Sequence, residues 1–191
     1  MLPLLADLQP LLRTCRFGRP ARGFRSLPST NAEALTWAAD GAAEGALVVA
    51  EAQTAGRGRL GRTWEAAPGR NLLVSLVLRP ALPPERLGLV PLAAGLAVAE
   101  AVEAAVPPLC PRLKWPNDLL LGGRKACGVL LEGRTGGRAP SAVALGIGLN
   151  VNQTAFPDAL AERATSLHLE AGRPVERAAL LAALLERLEA L

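Results

Sequence analysis

A segment rich in glycine and arginine is the first candidate for a functional site. Residues 53–64 read QTAGRGRLGRTW, follow an apolar run and carry Arg57, Arg59 and Arg62. Glycine lets the backbone approach a ligand closely, and guanidinium groups bind anionic oxygens through paired hydrogen bonds. Because the segment contains neither of the two common glycine motifs that bind nucleotides, it indicates an anion site of another kind. A basic surface loop without a ligand is the alternative.

Lysine is rare in this chain, and its two occurrences are the second candidate. Of the 21 lysines and arginines, only Lys114 and Lys125 are lysines. Lysine presents a compact point charge on a flexible stem, which arginine cannot reproduce, and it is a common ligand of phosphate groups. Lys114 opens the segment KWPND (114–118), whose proline and Asn-Asp pair are typical of a tight turn at a strand end. The segment therefore predicts polar side chains delivered together at one rim.

Lys125 opens a predicted strand that follows a Gly-Gly turn. Strand alternation places Lys125 and Cys127 on one face and Ala126 and Gly128 on the other. A glycine inside a strand, such as Gly128, indicates close approach of a ligand or of another backbone. A solvated charge on an edge strand is the alternative interpretation of Lys125.

These residues must be positioned by alternating helices and strands. The pattern Thr30-Asn31-Ala32-Glu33 matches a capping box and predicts a helix over 31–40 that ends near Gly41. Apolar runs and turn residues predict the other elements. We expect a short packed helix in 1–12, helices over 84–106 and about 175–191, an irregular segment over 163–170, and strands over 46–53, 71–78, 112–115, 118–121, 125–132 and 142–151. The fold class is therefore α+β, with a mixed, largely antiparallel sheet packed against helices.

Composition excludes several classes of protein. Half of the 191 residues are hydrophobic and the net charge is +4, which indicates a folded domain with a core rather than disorder or a polybasic nucleic-acid binder. Three cysteines without a CxxC pair favour a reducing, cytoplasmic setting. A single histidine, His168, gives little support to a His-based metal centre or a Ser-His-Asp hydrolase. The apolar segment 87–106 contains a proline and two glutamates, which favours a buried helix over a membrane span.

Taken together, these motifs resemble biotin protein ligases in their order along the chain, over roughly residues 27–167. The matching segments are STN (29–31), GRGRLGRTW (56–64), KWPND (114–118), RKACG (124–128), GIGLNVN (146–152) and ATSL (164–167). The resemblance implies the class II synthetase-like catalytic domain of biotin and lipoate ligases. It also implies activation of biotin by Mg-ATP to biotinyl-5′-AMP, followed by transfer to a lysine of a carrier protein.

The resemblance assigns expected roles to individual residues. Trp64 is expected to stack on adenine, and Asp118 is the candidate that orients Mg-ATP or the incoming amine; no tightly bound metal is expected. The expected catalytic residues are Lys125, Arg57 and Lys114. The expected biotin site contains Ser29, Thr30, Gln53, Arg57, Gly128, Leu130 and Lys125. The expected ATP and adenylate site contains Arg57, Arg59, Trp64, Lys114, Asn117 and Asn150.

The resemblance also implies a partner and a domain plan. The partner is the biotin carboxyl carrier domain of acetyl-CoA carboxylase or a related carboxylase; neither DNA nor a membrane is expected, and a homodimer is left open. Only 28 residues precede Ser29, too few for the N-terminal winged helix that many family members carry. We therefore expect a single catalytic domain over 1–191, with the C-terminal SH3-like domain absent or truncated.

Two other functions stay open at this point. A lipoate-protein ligase or octanoyltransferase shares the fold, although GRGRLGR and Gln53 match the biotin pattern. A catalytically silent biotin-binding or nucleic-acid-binding module is the second, and it would release no pyrophosphate from ATP.

Overall fold

The computed structural model describes residues 2–133 and 142–191, and their strands form one mixed sheet. The strand order across this sheet is β1-β2-β3-β7-β6-β5-β4. Strands β1 and β2 are parallel and the other neighbours are antiparallel, which confirms the predicted mixed, largely antiparallel sheet; β1 itself was not predicted. The strands are β1 (Ala21–Phe24), β2 (Leu47–Ala50), β3 (Leu72–Leu78), β4 (Arg112–Lys114), β5 (Asp118–Leu121), β6 (Arg124–Gly133) and β7 (Val143–Leu149).

The helices in the described ranges are α1 (Pro3–Leu8), α2 (Thr30–Ala39), α3 (Leu89–Ala105), α4 (Asp158–Ala161), α5 (Leu167–Ala171) and α6 (Arg177–Ala190). The prediction of one helix from residue 84 is wrong, because a 3-10 turn at Pro84–Arg86 precedes α3. The prediction of irregular chain over 163–170 is also wrong in part. Ser166 caps α5 there by accepting the Leu169 N–H at 3.2 Å.

The two faces of the sheet are covered unequally. Helices α1, α3 and α6 contribute to a large core on one face. On the other face, α2 packs Ala34, Trp37 and Ala38 against strand residues including Val48 and Val77. The part of this second face formed by β3, β7 and β6 near the start of α2 lines a cavity instead.

Helix α3 and the turn before it form a long apolar segment. The segment Pro84–Ala105 is long and apolar enough to cross a membrane by length and composition, a test that core helices of soluble proteins also meet. In this structure its residues Ala97, Val98 and Val102 are fully buried in the core that α6 shares. This packing agrees with the predicted buried helix.

The start of α2 differs from the predicted capping box. The N-cap residue is Ser29, and its side chain makes no capping hydrogen bond. Thr30, the first residue of the predicted capping box, already belongs to the first turn of the helix. Its hydroxyl donates to Gln53 Oε1 at 3.1 Å. The hydroxyl groups at this helix start are therefore not used to cap the helix. The predicted end near Gly41 is confirmed, since Gly41 has a φ of +91°.

Strands β5 and β6 form the predicted hairpin. Gly122 and Gly123 occupy its turn with φ of +55° and +80°. A two-residue turn in which both residues have positive φ matches the twist of the flanking strands, and only glycine adopts it without cost. Since β6 lies between β5 and β7, Lys125 is not on an edge strand, and that alternative is wrong.

A β-bulge interrupts the pairing of this hairpin. Leu119 pairs with Cys127 while Leu120 pairs with Lys125, so Ala126 is an extra residue on β6. Ala126 and Cys127 are both fully buried in the core.

The bulge overturns the predicted alternation of faces. A Cβ built on Gly128 would lie 3.2 Å from Lys125 Nζ, so these two residues share the cavity face. Cys127, predicted to accompany Lys125, lies on the core face. The extra residue shifts the alternation by one position, which a residue pattern without pairing partners does not reveal.

Candidate functional site

Glycines form part of the floor of a cavity of about 970 Å³ on the second sheet face. Gly148 of β7 pairs with Gly128 of β6, so two bare backbone positions lie side by side. A Cβ on Gly148 would come within 2.5 Å of the Trp64 indole, and a Cβ on Gly146 would collide with the Asn31 amide. Only glycine leaves room for these two side chains over the strands.

A polar end of this cavity is built around Gln53. Its Oε1 accepts the backbone N–H of Thr30 at 2.8 Å and the Thr30 hydroxyl at 3.1 Å. Because both donors approach Oε1, the orientation of the amide is fixed, and Nε2 is the end that can donate to a bound acceptor. Ser29 is buried and lines the same cavity.

A hydrogen-bonded chain continues from Thr30 to β6. The Ser75 hydroxyl lies 2.8 Å from Thr30 Oγ1 and donates to Asn31 Oδ1 at 2.6 Å. Asn31 Nδ2 donates to the Leu130 carbonyl at 3.3 Å and to Glu132 Oε2 at 2.8 Å. Sequence analysis assigned no site role to Asn31, Ser75 or Glu132. The sequence alone could have identified Ser75, since it is the single polar residue in the buried strand LLVSLVL.

The glycine-arginine segment folds as a small hairpin beside this chain of hydrogen bonds. The Gly58 N–H donates to the Arg62 carbonyl at 2.7 Å, and the Trp64 N–H donates to the Gly56 carbonyl at 3.0 Å. At the tip, Leu60 has a φ of +56° and is 87% exposed. Arg57 Nη2 lies 3.1 Å from Glu132 Oε2, which ties the hairpin to β6.

Trp64 ends this hairpin and lies over the glycine floor. Its indole occupies the space that Cβ atoms on Gly128 and Gly148 would need, and Lys125 Nζ lies 5.3 Å from the ring centroid. Its Nε1 is buried and has no hydrogen-bond partner within residues 2–133 and 142–191. The indole thus provides a flat surface inside the cavity, and its N–H is a buried donor that the described residues leave unpaired.

Lys125 carries its charge into the cavity next to a carboxylate. Its Nζ lies 2.6 Å from Asp118 Oδ1. The backbone of Lys125 is held separately: its N–H donates to the Arg163 carbonyl at 2.8 Å, and its carbonyl accepts the Thr165 N–H at 2.9 Å. The ammonium position is therefore set by a fixed backbone and by one anionic partner.

Two asparagines of the expected nucleotide site differ in what they leave open. Asn150 Nδ2 donates to the Thr165 carbonyl at 3.0 Å, while its Oδ1 is buried and has no partner within the described part of the chain. Asn117 Nδ2 donates to the Val129 carbonyl at 2.8 Å, and the Asn117 carbonyl accepts the Val129 N–H at 2.9 Å. Asn117 therefore anchors the KWPND turn to β6, whereas Asn150 offers an acceptor.

The remaining titratable candidates carry no chemistry in this site. Burial raises the pKa of the Cys127 thiol to about 12, so this cysteine stays protonated and unreactive. The described ranges contain no group of three or more His, Cys, Asp or Glu side chains that could hold a metal ion. His168 lies on α5 and does not line the cavity.

A second cavity of about 1490 Å³ lies against the same hairpin. It is lined by the hairpin, by Pro84 and Leu87, and by Trp115, which is 79% exposed. The hairpin therefore forms a wall of both cavities.

The structure brings together every residue that sequence analysis named for the site. All of them line the cavity on the glycine floor: Ser29, Thr30, Gln53, Arg57, Arg59, Trp64, Lys114, Asn117, Asp118, Lys125, Gly128, Leu130 and Asn150. The roles of these residues toward ligands stay predictions.

Comparison with known proteins places this fold and cavity in a family. The chain belongs to the biotin/lipoate A/B protein ligase family, whose model matches residues 23–150. The resemblance inferred from the sequence motifs is thereby confirmed.

The relatives and solved structures agree with this placement. The chain is 41% identical over 157 residues to the bifunctional ligase/repressor BirA of Bacillus subtilis, covering 81% of this chain and 48% of that protein. It is 46% identical over 143 residues to the biotin--[acetyl-CoA-carboxylase] ligase of Mycobacterium tuberculosis, covering 73% and 51%. The biotin protein ligase from Aquifex aeolicus in complex with biotin and ATP matches with a TM-score of 0.79 at 34% identity, covering 90% and 69%. The chain spans about half the length of the curated relatives it matches.

Proposed function

We propose that this chain carries the catalytic site of a biotin protein ligase. In the proposed reaction a biotin carboxylate oxygen attacks the α-phosphorus of Mg-ATP, forming biotinyl-5′-AMP and expelling pyrophosphate. The amine of a carrier lysine then attacks the acyl carbon, and AMP leaves. The observation that carries this proposal is one cavity that holds the oriented Gln53 amide, the Lys125 ammonium and the Trp64 indole together.

The biotin end of the proposed site is the polar end at the start of α2. Gln53 Nε2 supplies a donor for the ureido oxygen, since Thr30 occupies Oε1 of the same amide. Ser29, at the start of α2, supplies a hydroxyl group as a further hydrogen-bonding partner. Gly128 and Leu130, which share the cavity face of β6, provide the apolar slot. A buried site of this kind discriminates well because an unpaired polar group is costly.

The ATP end of the proposed site uses the face of the Trp64 indole and Asn150 Oδ1, an acceptor without a partner in the described ranges. Adenine stacks on the Trp64 indole, and Asn150 Oδ1 accepts from the exocyclic amine of the base. Lys114 and Arg59, which line the cavity, bind phosphate oxygens. Mg-ATP enters as a substrate, so the chain needs no resident metal for this proposal.

Catalysis in the first step is electrostatic. Two anions, the carboxylate and the α-phosphate, must approach each other, and the Lys125 ammonium stabilises the charge that develops as they react. Asp118 fixes the direction of this ammonium at 2.6 Å. No protein side chain becomes a covalent nucleophile, since holding the two substrates in line supplies most of the rate.

The proposed second substrate is a biotin carboxyl carrier domain of a carboxylase. The relative from M. tuberculosis is named as a biotin--[acetyl-CoA-carboxylase] ligase, which supports this choice. We place the reaction in the cytoplasm, where ATP is available and where free cysteines persist; all three cysteines of the chain are free.

The test is release of pyrophosphate from Mg-ATP by this chain with biotin and without a carrier protein. We expect release with biotin and none with lipoate. Release with lipoate alone would reassign the chain to lipoate ligation. Retention of biotin without any pyrophosphate release would indicate a binding module.

A further inference from the structure

Glu132 binds two separate walls of the biotin end with one carboxylate oxygen. Its Oε2 accepts Asn31 Nδ2 at 2.8 Å, and Arg57 Nη2 lies 3.1 Å from the same atom. Asn31 belongs to the first turn of α2, and Arg57 belongs to the glycine-arginine hairpin. One side chain of β6 therefore fixes the distance between these two elements.

The position of Glu132 follows from the strand register. Gly128, Leu130 and Glu132 alternate on the cavity face of β6, and Glu132 pairs with Ala144 of β7. Its side chain thus stands beside the apolar slot, at the point where α2 begins to cover the sheet.

The Asn31 side of this contact is rigid. Asn31 is buried, and its amide is also held by the Leu130 carbonyl and by Ser75. Since the same amide lies directly over Gly146, it has little room to move. Glu132 is therefore a fixed anchor for whatever binds its other side.

The Arg57 side of this contact is held by fewer interactions. The hairpin makes only a few backbone hydrogen bonds across its own strands, and the side chain of Arg57 is 44% exposed. A segment with few buried contacts opens at low free-energy cost. Loss of the ion pair between Arg57 and Glu132 therefore favours detachment of the hairpin from β6.

We propose that Glu132 is a positioning residue that holds the glycine-arginine hairpin against the biotin end through Arg57 and Asn31. Glu132 acts through these two residues and does not touch the reacting atoms. The inference rests on the proposed function. Its consequence is that loss of Glu132 weakens biotin binding much more than it slows the chemical step.

The main test is Glu132→Gln in the full chain, assayed by pyrophosphate release. We expect the KM for biotin to rise about 5- to 20-fold, as for loss of one charge-assisted hydrogen bond, while kcat falls less than about twofold. Trypsin cleavage in the hairpin is expected to become faster in the same variant.

A matched control is available on α2, the helix that carries Asn31. Arg22 and Glu33 lie 3.2 Å apart with side-chain exposures of 45% and 27%, against 3.1 Å, 44% and 26% for Arg57 and Glu132. Glu33→Gln removes a similar ion pair whose two members line neither cavity, so it should change neither the KM for biotin nor cleavage in the hairpin.

A double-mutant cycle separates positioning through Arg57 from a general loss of stability. We expect Glu132→Gln to add little to the effect of Arg57→Gln on biotin affinity, because both remove the same contact. Additive effects, or a KM in Glu132→Gln equal to that of Glu33→Gln, would overturn the inference.

The proposed function can fail independently of this inference. A wild-type chain that releases no pyrophosphate with biotin contradicts the proposed function. Trypsin cleavage still tests Glu132 in that case: equal cleavage rates in Glu132→Gln and Glu33→Gln would refute its role.

Discussion

Two polar clusters in this chain use the same kinds of side chain but differ in how completely their hydrogen bonds are made. The first, the anchor cluster, consists of Glu51, Asn71, Val151, Gln153 and Arg177. Asn71 donates to Gln153 Oε1 at 2.7 Å and accepts the Val151 N–H at 2.9 Å. Arg177 binds both oxygens of Glu51, at 2.7 and 3.2 Å, and the Asn71 carbonyl at 3.1 Å. This cluster fastens α6 to the sheet.

The second cluster, at the cavity, contains two buried polar atoms, Asn150 Oδ1 and Trp64 Nε1, that have no partner among the residues the structure describes. Leaving a buried polar group unpaired costs about 1–3 kcal/mol, so such atoms are rare where a cluster only supports the fold. Asparagine is thus used in two ways by this chain. Asn71 stabilises the fold, whereas the Asn150 side chain leaves a buried acceptor unpaired at the cavity.

The largest expected effect that tests this comparison is at Lys125. Lys125→Arg keeps the charge but replaces a point charge with a planar fork, so pyrophosphate release should fall about 100-fold or more. Arg124→Lys is the control, because Arg124 pairs with Glu170 at 2.7 Å and does not line the cavity. An equal loss in both variants would mean that the ion pairs of β6 matter only for folding.

The next effect concerns the glycine floor. In Gly148→Ala the new Cβ comes within 2.5 Å of the Trp64 indole and must displace it. We expect the KM for ATP to rise about 10-fold or more, since an aromatic stacking surface contributes about 1–3 kcal/mol per base. Gly88→Ala is the control, because its Cβ would meet nothing within 4 Å. An unchanged KM for ATP would argue against stacking on Trp64.

Substitution in the anchor cluster should lower the stability of the fold and leave substrate binding unchanged. Glu51→Gln removes the ion pair with Arg177 and leaves at most one hydrogen bond from the guanidinium to the amide oxygen, at side-chain exposures of only 17% for Glu51 and 18% for Arg177. We expect the free energy of unfolding in urea to fall by about 1–3 kcal/mol. The KM values for biotin and ATP should stay the same. A change in either KM would show that the anchor cluster also affects substrate binding, and would contradict the comparison.

The smallest expected effect is a pH dependence at Glu189, whose carboxylate accepts the backbone N–H groups of Cys15, Arg16 and Phe17 at 2.6–2.9 Å. Partial desolvation raises the pKa of Glu189, but these hydrogen bonds and the charge of Arg16 outweigh it, so the pKa lies below its ordinary value. A lowered pKa in the folded state stabilises the protein above the unfolded pKa, and this contribution is lost as the pH falls.

Urea midpoints measured from about pH 7 down to about pH 3, across the ordinary glutamate range, check this prediction. We expect Glu189→Gln to lower the midpoint at neutral pH and to reduce its fall toward acid. A variant that loses stability in parallel with the wild type over the whole range would contradict the assignment.

The sequence predicted the site better than it predicted local geometry. Residues such as Gln53 and Asn150 could be placed because their motifs occur in a recognisable order, and all of them meet in one cavity. Strand β1 was missed because its sequence, ARGF, contains no apolar run. Its strand conformation depends on pairing with β2, which is a tertiary contact.

Two further failures have the same physical origin. The role of Glu132 depends on its meeting Asn31 and Arg57, residues 101 and 75 positions away. The bulge at Ala126 depends on which residues of β5 pair with Lys125 and Cys127. Neither relationship is a local property of the chain, so neither follows from composition or periodicity.

The bulge also makes β6 respond differently to deletion than to substitution. Because Ala126 is the extra residue, a chain without it can pair Leu119 with Cys127 and Leu120 with Lys125 in uninterrupted register. Lys125 and Gly128 would still face the same side, and Cys127 would stay in the core. Loss of Val129 instead shifts every later residue of the strand by one place and turns Glu132 away from Asn31. We therefore expect deletion of Ala126, which costs the hydrogen bond from the Asn150 N–H to the Ala126 carbonyl, to disturb the strand less than deletion of Val129.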